Sequence, residues 1–225
     1  MKQTNHSPNT TQTPLDILMQ SQRNEGHFTE SELHAMGFAK LGKNVLISRL
    51  ARIYGAPKIS IGDCVRIDDF AILSGAVRLG NFVHIGAYAS ITGGNGIDSS
   101  VVMGDFCGMS SYSKIFATTD DFVGGYLVGP CVLESFRNVK ASHITLVGHC
   151  HIGSHSLILP KSRFELGASL GPMSLNMGRT FKEWHYYLGN PAKAVYALDS
   201  SAILEKQNLL LNTLQNHAKE HLCNN

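Results

Sequence analysis

One aliphatic side chain recurs at every sixth position through a large part of this chain. The recurrence begins at Leu41, Ile47 and Ile53, shifts by two residues, and continues through Ile61, Ile67, Leu73, Leu79, Ile85, Ile91, Ile97, Met103, Met109 and Ile115. A shorter run follows, with Leu146, Ile152, Ile158, Phe164 and Leu170. Glycine comes directly after the aliphatic residue at positions 42, 62, 80, 86 and 104.

A period of six excludes an amphipathic helix, because six residues turn a helix by about 600° and spread the stripe around its whole surface. The same period fits three alternations of a strand, and the glycines fit corners that leave no room for a Cβ atom. We therefore expect a solenoid in which each hexapeptide makes one strand and one corner. A β-sandwich is the alternative, but its turns fall at irregular spacing.

Composition excludes several classes of protein. The net charge is +2 with 16% charged residues, which gives no sign of bulk nucleic-acid binding. The five cysteines, at positions 64, 107, 131, 150 and 223, form no CxxC pair, and we interpret them as reduced packing thiols of a cytoplasmic protein. Neither a membrane-spanning apolar run nor the apolar segment of a signal peptide is visible.

The ends of the chain differ from the repeat. Residues 1–13 are polar, and we expect them to be disordered. A short helix is predicted at 15–19, and a second at 30–36, where Thr29 and Glu32 fit a capping box and Gly37 fits a stop. The apolar spacing within 200–222 predicts a further helix. The expected domains are a helical cap at 1–40, a solenoid at 41–196 and a C-terminal helix at 197–225.

The expected coils have these boundaries: 41–60, 61–78, 79–96, 97–114, 146–163 and 164–177. The phase disappears after Ile115, and a loop is predicted over 116–143. A long excursion inside a strict repeat is more often functional than structural.

The sequence Gly-Asn-Pro-Ala-Lys at 189–193, following a hexapeptide solenoid, resembles the galactoside and maltose O-acetyltransferases. Three further segments, IGDCVRIDDFAILSG, GNFVHIGAYASITGG and ATTDD, are similar to relatives from bacterial surface-polysaccharide pathways, which acylate sugars or nucleotide-linked amino sugars. The resemblance covers about residues 40–196. It implies a left-handed β-helix with three hexapeptides per coil, so that residues 18 apart stack.

The resemblance also implies a homotrimer with active sites in the clefts between subunits, and acetyl-coenzyme A as the co-substrate. Pantetheine would then meet backbone near Gly153 and Gly171, and Pro191 and Lys193 would lie near the nucleotide end. An ammonium group is a good point-charge partner for phosphate. The structural alternative for residues 189–193 is a tight turn that closes the last coil.

His84 is the candidate general base. It precedes the inward Ile85 and so points outward, with Arg66 expected one coil below and Val102 one coil above. Acyl transfer needs a base for the acceptor's proton, and Arg66 with Arg78 could meet a diphosphate. The alternative is a surface histidine packed at the trimer interface.

Carboxylates supply the other candidates. Galactoside-type enzymes carry their base histidine on the excursion loop, whereas residues 117–121 here contain none. Asp120 is therefore an alternative base, which would need a raised pKa. A further alternative is an amine acceptor that needs little help from a base. Asp120 or Asp121 could instead bind hydroxyls or an amine of the acceptor. Asp69 is the expected orienting group for the imidazole of its own or a neighbouring chain, and Asp68 is a candidate substrate contact. The alternative is a solvated corner pair.

A second histidine cluster comprises His149, His151 and His155. His149 and His155 occupy the same station of successive hexapeptides and would diverge within one chain, so a zinc site would need two subunits. His151 is the second-choice base.

The predicted function is acetyl transfer from acetyl-CoA to the amino or hydroxyl group of a sugar. The favoured acceptor is a nucleotide-linked sugar of lipopolysaccharide O-antigen or capsule biosynthesis, and no metal is required. The alternatives are free-sugar O-acetylation, a zinc-dependent enzyme of the carbonic-anhydrase kind, and a non-catalytic scaffold.

Overall fold

The computed structural model describes residues 12–223 and shows a left-handed parallel β-helix. The chain divides into two units. The solenoid unit is 24–199. The second unit contains α1 (Pro14–Gln22) and α3 (Ser201–Cys223). The prediction of disorder for residues 1–13 lies outside the described residues as far as residue 11, and Thr13 forms the N-cap of α1.

The solenoid carries short strands and one short helix, α2 (Glu30–Ala35), which Thr29 and Glu32 cap reciprocally as predicted. Single-turn 3-10 helices occupy Ala56–Lys58 and Glu134–Phe136. The strands are β1 Lys40–Leu41, β2 Leu46–Ile47, β3 Arg52–Tyr54, β4 Ile59–Ile61, β5 Arg66–Ile67, β6 Ile72–Ser74, β7 Val77–Leu79, β8 His84–Ile85, β9 Ser90–Thr92, β10 Ser100–Met103, β11 Gly108–Met109, β12 Lys114–Phe116, β13 Thr118–Asp120, β14 Val139–Ala141, β15 His143–Leu146, β16 His151–Ile152, β17 Leu157–Ile158, β18 Arg163–Phe164, β19 Ser169–Leu170, β20 Leu175–Asn176, β21 Thr180–Phe181, β22 His185–Leu188 and β23 Lys193–Ala197.

Three sheets form the three faces of the solenoid. The first has seven strands in the order β1-β4-β7-β10-β15-β18-β21. The second has eight, β2-β5-β8-β11-β16-β19-β22-β23, and the third six, β20-β17-β12-β9-β6-β3. Almost all pairs are parallel; only β23 runs antiparallel to its neighbour in these sheets. Each coil therefore places one strand on each face, and a residue is positioned by the strands above and below it.

The stacking follows the predicted register over the early coils. Leu41 pairs with Ile61, and Ile61 in turn pairs with Leu79, so the first coil is longer than the second, as the slip in the repeat predicts. The repeated aliphatic side chains are almost fully enclosed; Ile67 and Ile85 are 0% exposed. Each such side chain contributes roughly 1.5–3 kcal/mol of burial free energy, so the repeat itself builds the core.

Ile97 departs from the prediction, because it is 86% exposed instead of inward. Met103 stacks on Leu79, although the two are one hexapeptide further apart in sequence than stacked residues of a regular coil. Residues 93–98 therefore form an inserted hexapeptide at a corner. The side chain of Asn95 accepts the Ile97 and Asp98 N–H groups and closes this turn. An insertion of one whole repeat keeps the six-residue spacing of the aliphatic residues, but it shifts every later strand pairing by one hexapeptide. The predicted coils 79–96 and 97–114 are therefore wrong.

The strands of the solenoid also continue beyond residue 177, where the last predicted coil ends. Phe181 stacks on Phe164 and Tyr187 on Leu170, and each pair is one residue closer in sequence than the pairs of the regular coils. These last strands are hard to recognise in the sequence, because one residue is deleted and aromatic side chains replace the repeated aliphatic ones. His185, which has no phase in the sequence, lies in β22.

The glycines that follow the inward aliphatic residues allow adjacent coils to approach closely. A Cβ atom on Gly62 would lie 2.5 Å from the backbone oxygen of Gly80. Many left-handed backbone positions carry other residues, among them Phe82, Phe106 and His149, whose rings stack outside the corner. The predicted close approach is confirmed, but these left-handed corners do not depend on glycine.

The excursion leaves the third face after β12 and returns to the first face at β15. Its base is an antiparallel pair, β13 with β14, in which Thr119 lies opposite Lys140. The loop exposes large apolar side chains, including Phe122, Val123, Leu133 and Phe136.

The interpretation of the cysteines as packing thiols holds best for two of them. Cys107 and Cys150 are buried and free, and the hydrogen bond with Cys150 and then burial raise the pKa of the Cys107 thiol. Cys64 is half-buried. Cys131 is free but exposed on the excursion loop, so it is not a packing residue.

Candidate functional site

Three charged side chains meet on the outward side of the eight-stranded face. Arg66 in β5 and His84 in β8 occupy adjacent positions of the ladder, as the sequence spacing predicts. Asp68 lies at the corner that follows β5 and bridges them. Its Oδ1 accepts a hydrogen bond from Arg66 Nε at 2.7 Å, and its Oδ2 lies 2.8 Å from His84 Nε2.

The environment of Asp68 keeps its carboxylate ionised. Partial burial alone would raise its pKa, but the hydrogen bonds from His84 and Arg66 outweigh that cost and lower the pKa below the usual range. An ionised carboxylate only accepts hydrogen bonds, so Nε2 of His84 carries the proton. Nδ1 is then the nitrogen that can accept a proton. The His84 side chain is 55% exposed and within reach of a ligand.

The orienting group of His84 differs from the prediction. Asp68 makes the contact, whereas Asp69 accepts a hydrogen bond from the Ser48 hydroxyl. The Ser48 oxygen in turn accepts the Leu50 N–H at 3.0 Å. The sequence places both aspartates at one corner but does not indicate which of them faces the next strand. Within this chain, Asp68 and not Asp69 contacts the imidazole of His84.

A cavity of about 640 Å³ opens beside this cluster. Its wall includes Arg66, Asp68 and Asp69 from the early coils and Ser48 from the first coil. The remaining lining residues are Asn24, Gly26, His27, Arg49, Leu50 and Ala87. Arg49 is itself paired with Glu32, at 2.8 and 2.7 Å. The volume is typical of a site for a small molecule.

Val102, a predicted neighbour of His84, and Arg78, a predicted partner of Arg66, are placed elsewhere. Val102 pairs with Arg78 on the seven-stranded face, and Gly108 takes the position above His84. Arg78 and Arg66 consequently lie on different faces of the solenoid and do not converge on one site within a chain. The inserted hexapeptide before Ser99 displaces Val102, because it shifts the later pairings. Arg78 follows Arg66 by two hexapeptides and therefore lies on another face.

His151 stands above Gly108 in the same ladder, two positions from His84. The sequence spacing did not indicate this alignment, since the excursion loop separates the two histidines. Solvent reaches His151, but neighbouring atoms desolvate its ring in part. This desolvation and then the charge of His149 lower the pKa of His151. The neutral form of His151 is therefore favoured near pH 7.

Asp120 is bonded at both carboxylate oxygens. Arg137 donates to Oδ1 from Nη2 at 2.7 Å, and the Gly129 N–H donates to Oδ2 at 2.9 Å. The Gly129 amide and then Arg137 lower the pKa of Asp120. A general base at this position needs a raised pKa. The lowered pKa therefore argues against Asp120 as the base and favours a carboxylate that stays ionised near neutral pH.

Asp121 is 7% exposed and all its contacts lie within the excursion loop. Lys140 Nζ lies 3.0 Å from Oδ1, and Asn138 donates to Oδ2 at 2.9 Å. The N–H groups of Val123 and Gly124 also donate to Oδ1. Lys140 and these amides lower its pKa. These contacts indicate that Asp121 holds the loop in shape.

The two late-coil glycines use their backbone N–H groups inside the solenoid. Gly153 donates to the Leu170 carbonyl and Gly171 to the Tyr187 carbonyl, both at 2.7 Å. Their N–H groups are therefore committed to the solenoid rather than to pantetheine. A Cβ atom on Gly153 would lie 2.6 Å from the Gly171 carbonyl carbon, which explains the glycine by close packing.

The segment 189–193 turns the chain from β22 into β23. Pro191 and Lys193 are exposed, and Lys193 pairs with Leu188 in the antiparallel register. A turn that closes the last coil, the structural alternative, is thus present. It leaves the Lys193 ammonium group accessible.

His149 and His155 diverge, as predicted. His149 stacks on Phe106 and His155 on Tyr112, in two separate columns of rings. In the part of the chain whose side chains are described, no three His, Cys, Asp or Glu residues are grouped so that they could hold a metal ion. Across the described helices, none has the length and apolar character needed to cross a membrane.

Comparison with known proteins supplies the chemistry that geometry leaves open. A dTDP-4-amino-4,6-dideoxy-D-glucose acyltransferase of Escherichia coli is 32% identical over 172 residues, which cover 75% of this chain and 87% of that protein. AntD, an N-acyltransferase from Bacillus cereus solved with dTDP and 3-hydroxybutyryl-CoA, is 38% identical with a TM-score of 0.81. The match covers 85% of this chain and 100% of AntD.

A maltose O-acetyltransferase from Clostridium difficile shares the fold, with a TM-score of 0.52 and 13% identity over 82% of this chain and 83% of that one. No protein-family model matches the chain. The identity and coverage of the E. coli relative decide the assignment: the chain belongs to the left-handed β-helix family of acyl-CoA-dependent nucleotide-amino-sugar acyltransferases.

Proposed function

We propose that this protein transfers an acyl group from acyl-CoA to the 4-amino group of a dTDP-linked 4-amino-4,6-dideoxy sugar. The observation that carries the proposal is the Arg66–Asp68–His84 cluster beside a cavity of about 640 Å³. A serine-to-alanine mutant of AntD, 38% identical to this chain, has been solved with dTDP-4-amino-4,6-dideoxyglucose and coenzyme A. Its name and that of the E. coli relative support an amine acceptor over the free-sugar hydroxyl.

His84 is the proposed general base. The amine nitrogen forms a bond with the thioester carbonyl carbon and the carbon–sulfur bond breaks. The proton lost by nitrogen passes to His84 Nδ1 and then to the departing sulfur, which leaves as the coenzyme A thiol. Asp68 holds the imidazole in the required tautomer through Nε2. The thioester supplies the driving force, so the step as written needs no metal.

Arg66 and Asp120 are the proposed contacts of the acceptor. Arg66 is held by Asp68 at the cavity wall, where its guanidinium can face a phosphate. Asp120 remains ionised, as its lowered pKa indicates, and can attract the amino group of the sugar. Asp121 acts as a loop anchor in this proposal. Lys193 is the proposed phosphate contact for coenzyme A, and Pro191, Gly153 and Gly171 shape that surface by packing.

The proposed assembly is a homotrimer in which the excursion loop lies against a neighbouring subunit. The exposed Phe122, Val123, Leu133 and Phe136 support it, because large apolar side chains exposed together on one loop often mark a contact. The proposed location is the cytoplasm, which the free thiols of the described cysteines support. The product would serve lipopolysaccharide or capsule biosynthesis.

Ligand-dependent thermal stability tests this function. A ligand that binds only the folded protein raises its melting temperature. We expect a rise with coenzyme A, a rise with dTDP, and a further rise with dTDP-4-amino-4,6-dideoxyglucose, with or without EDTA. Folded, trimeric protein that responds to neither coenzyme A nor dTDP would contradict the proposal. A response to coenzyme A and a free sugar alone would favour the O-acetyltransferase alternative.

A further inference from the structure

Gly108 is the only glycine inside a strand among the strands that the structure describes. It occupies the first position of β11, pointing outward next to the inward Met109. Glycine weakens a strand, because it has no side chain to pack and loses the most conformational freedom on folding. Such a glycine often marks a place where a ligand approaches the backbone closely.

The solenoid does not itself require glycine at this position. At several corner glycines a Cβ atom would strike backbone, as at Gly62 and at Gly86, where the Met109 oxygen would lie 2.9 Å away. At Gly108 the closest atom is the side-chain Nδ1 of His151 at 3.2 Å, and the nearest backbone atom, the His84 oxygen, is at 3.9 Å. The backbone of Gly108 also lies outside the left-handed region. An alanine would therefore fit after a small movement of one ring.

The neighbours of Gly108 are the two imidazoles described above. His84 pairs with Gly108 from below and His151 pairs with it from above, so Gly108, which has no side chain, lies between the two histidines in the ladder. Every other outward position of this ladder carries a side chain, namely Leu46, Arg66, Ser169 and Tyr186. The gap thus falls directly next to the proposed base.

We propose that the bare strand at Gly108 is the seat of the acyl thioester, which lies against the backbone between the imidazoles of His84 and His151. This inference rests on the proposed function and identifies where its donor reacts. Because Gly108 has no side chain, a flat thioester group can approach the backbone there more closely than at the other outward positions of the ladder. The nitrogen attacks the carbonyl carbon there, the carbon–sulfur bond breaks, and His84 Nδ1 is adjacent to take the proton.

The substitution Gly108→Ala tests the seat, because its structural and functional effects have opposite signs. The melting temperature should stay the same or rise, since alanine is better suited to a strand. The kcat/KM for 3-hydroxybutyryl-CoA should fall at least about tenfold, and that for acetyl-CoA should fall less because its acyl group is smaller. Gly108→Val should increase both losses. The Kd values of dTDP and of coenzyme A without an acyl group should not change.

The control is Ser60→Val on the seven-stranded face, which adds a β-branched side chain away from the imidazoles and should leave all kinetic constants unchanged. Unchanged kcat/KM in Gly108→Ala would overturn the inference, and so would an equal loss with both thioesters, which would indicate that the acceptor occupies the position. Absence of turnover in the unaltered protein with every donor would instead contradict the proposed function.

Discussion

Asp68 on the solenoid face and Asp120 on the excursion loop have similar partners but different consequences. Each carboxylate holds one guanidinium at 2.7 Å, that of Arg66 or of Arg137. The second oxygen of Asp68 contacts the imidazole of His84, whereas the second oxygen of Asp120 accepts a hydrogen bond from the Gly129 backbone amide. The same charge pattern therefore orients an imidazole in one region and fastens a loop in the other.

The difference shows how each region is built. On the solenoid, Arg66 and His84 are brought together by the register of β5 against β8, which adjacent strands fix on both sides. In the loop, Asp120 and Asp121 are held by basic partners that belong to the same loop. Chemistry that needs a fixed geometry is better supported on the solenoid, and the loop is better suited to enclosing the substrate.

The largest expected effect is loss of the imidazole. His84→Ala should lower kcat by about a hundredfold or more, because it removes the proposed base. Steady-state kinetics with both substrates saturating measure this. His155→Ala, which removes an exposed ring at a corner, is the matched control and should keep kcat. An active His84→Ala enzyme would show that His84 is not the base.

Asp68→Asn should have the next largest effect. The amide no longer enforces the tautomer of His84, and the loss of a charge-assisted hydrogen bond of about 2 kcal/mol corresponds to about thirtyfold in kcat. The loss should appear in kcat rather than in the KM for coenzyme A. Asp69→Asn is the control, since Asp69 bonds Ser48 instead. Equal losses in the two variants would contradict the assignment of Asp68.

Asp120→Asn should lower kcat/KM for the amino sugar by about tenfold, because an attraction for the amine is lost. Arg137→Gln removes the partner of Asp120 but keeps its charge. It should lower the melting temperature as much as Asp120→Asn does, yet reduce kcat/KM less. If both variants lost the same activity, the role of Asp120 would be confined to the loop.

Lys193→Ala should raise the KM for coenzyme A about fivefold, the effect of about 1 kcal/mol from an exposed ion pair, and leave kcat unchanged. Raising the salt concentration should reduce the difference between the variant and the unaltered protein. An unchanged KM at low salt would remove Lys193 from the coenzyme A site.

The smallest effect concerns acid stability. Because the folded pKa of Asp68 is lowered, its contribution is present above its unfolded value, near 3.9, and is lost as the pH falls towards the folded pKa. The free energy of unfolding should therefore differ between the unaltered protein and Asp68→Asn at pH 7, and this difference should shrink below about pH 4. Urea titrations at the two pH values measure it, and a difference that grows in acid would contradict the linkage.

The period of six determines the architecture and the pairing of Arg66 with His84, since both follow from the inward aliphatic residues. The six-residue period does not predict the pairing after the inserted hexapeptide that exposes Ile97, because a coil becomes longer there while the spacing is kept. It also fails where one residue is deleted before Phe181. Side-chain partners at corners, such as Asp68 for His84, depend on torsion angles that the spacing does not specify. The role of Gly108 becomes visible only when its contacts are compared with those of the corner glycines.

Product identity tests the central claim most directly. The protein is incubated with acyl-CoA and dTDP-4-amino-4,6-dideoxyglucose, or with the same nucleotide sugar carrying a 4-hydroxyl group, and the products are analysed by mass spectrometry. We predict a single acyl amide from the amino sugar, none from its hydroxyl counterpart, and loss of the amide in His84→Ala. An ester from the hydroxyl sugar with no amide from the amino sugar would contradict the account.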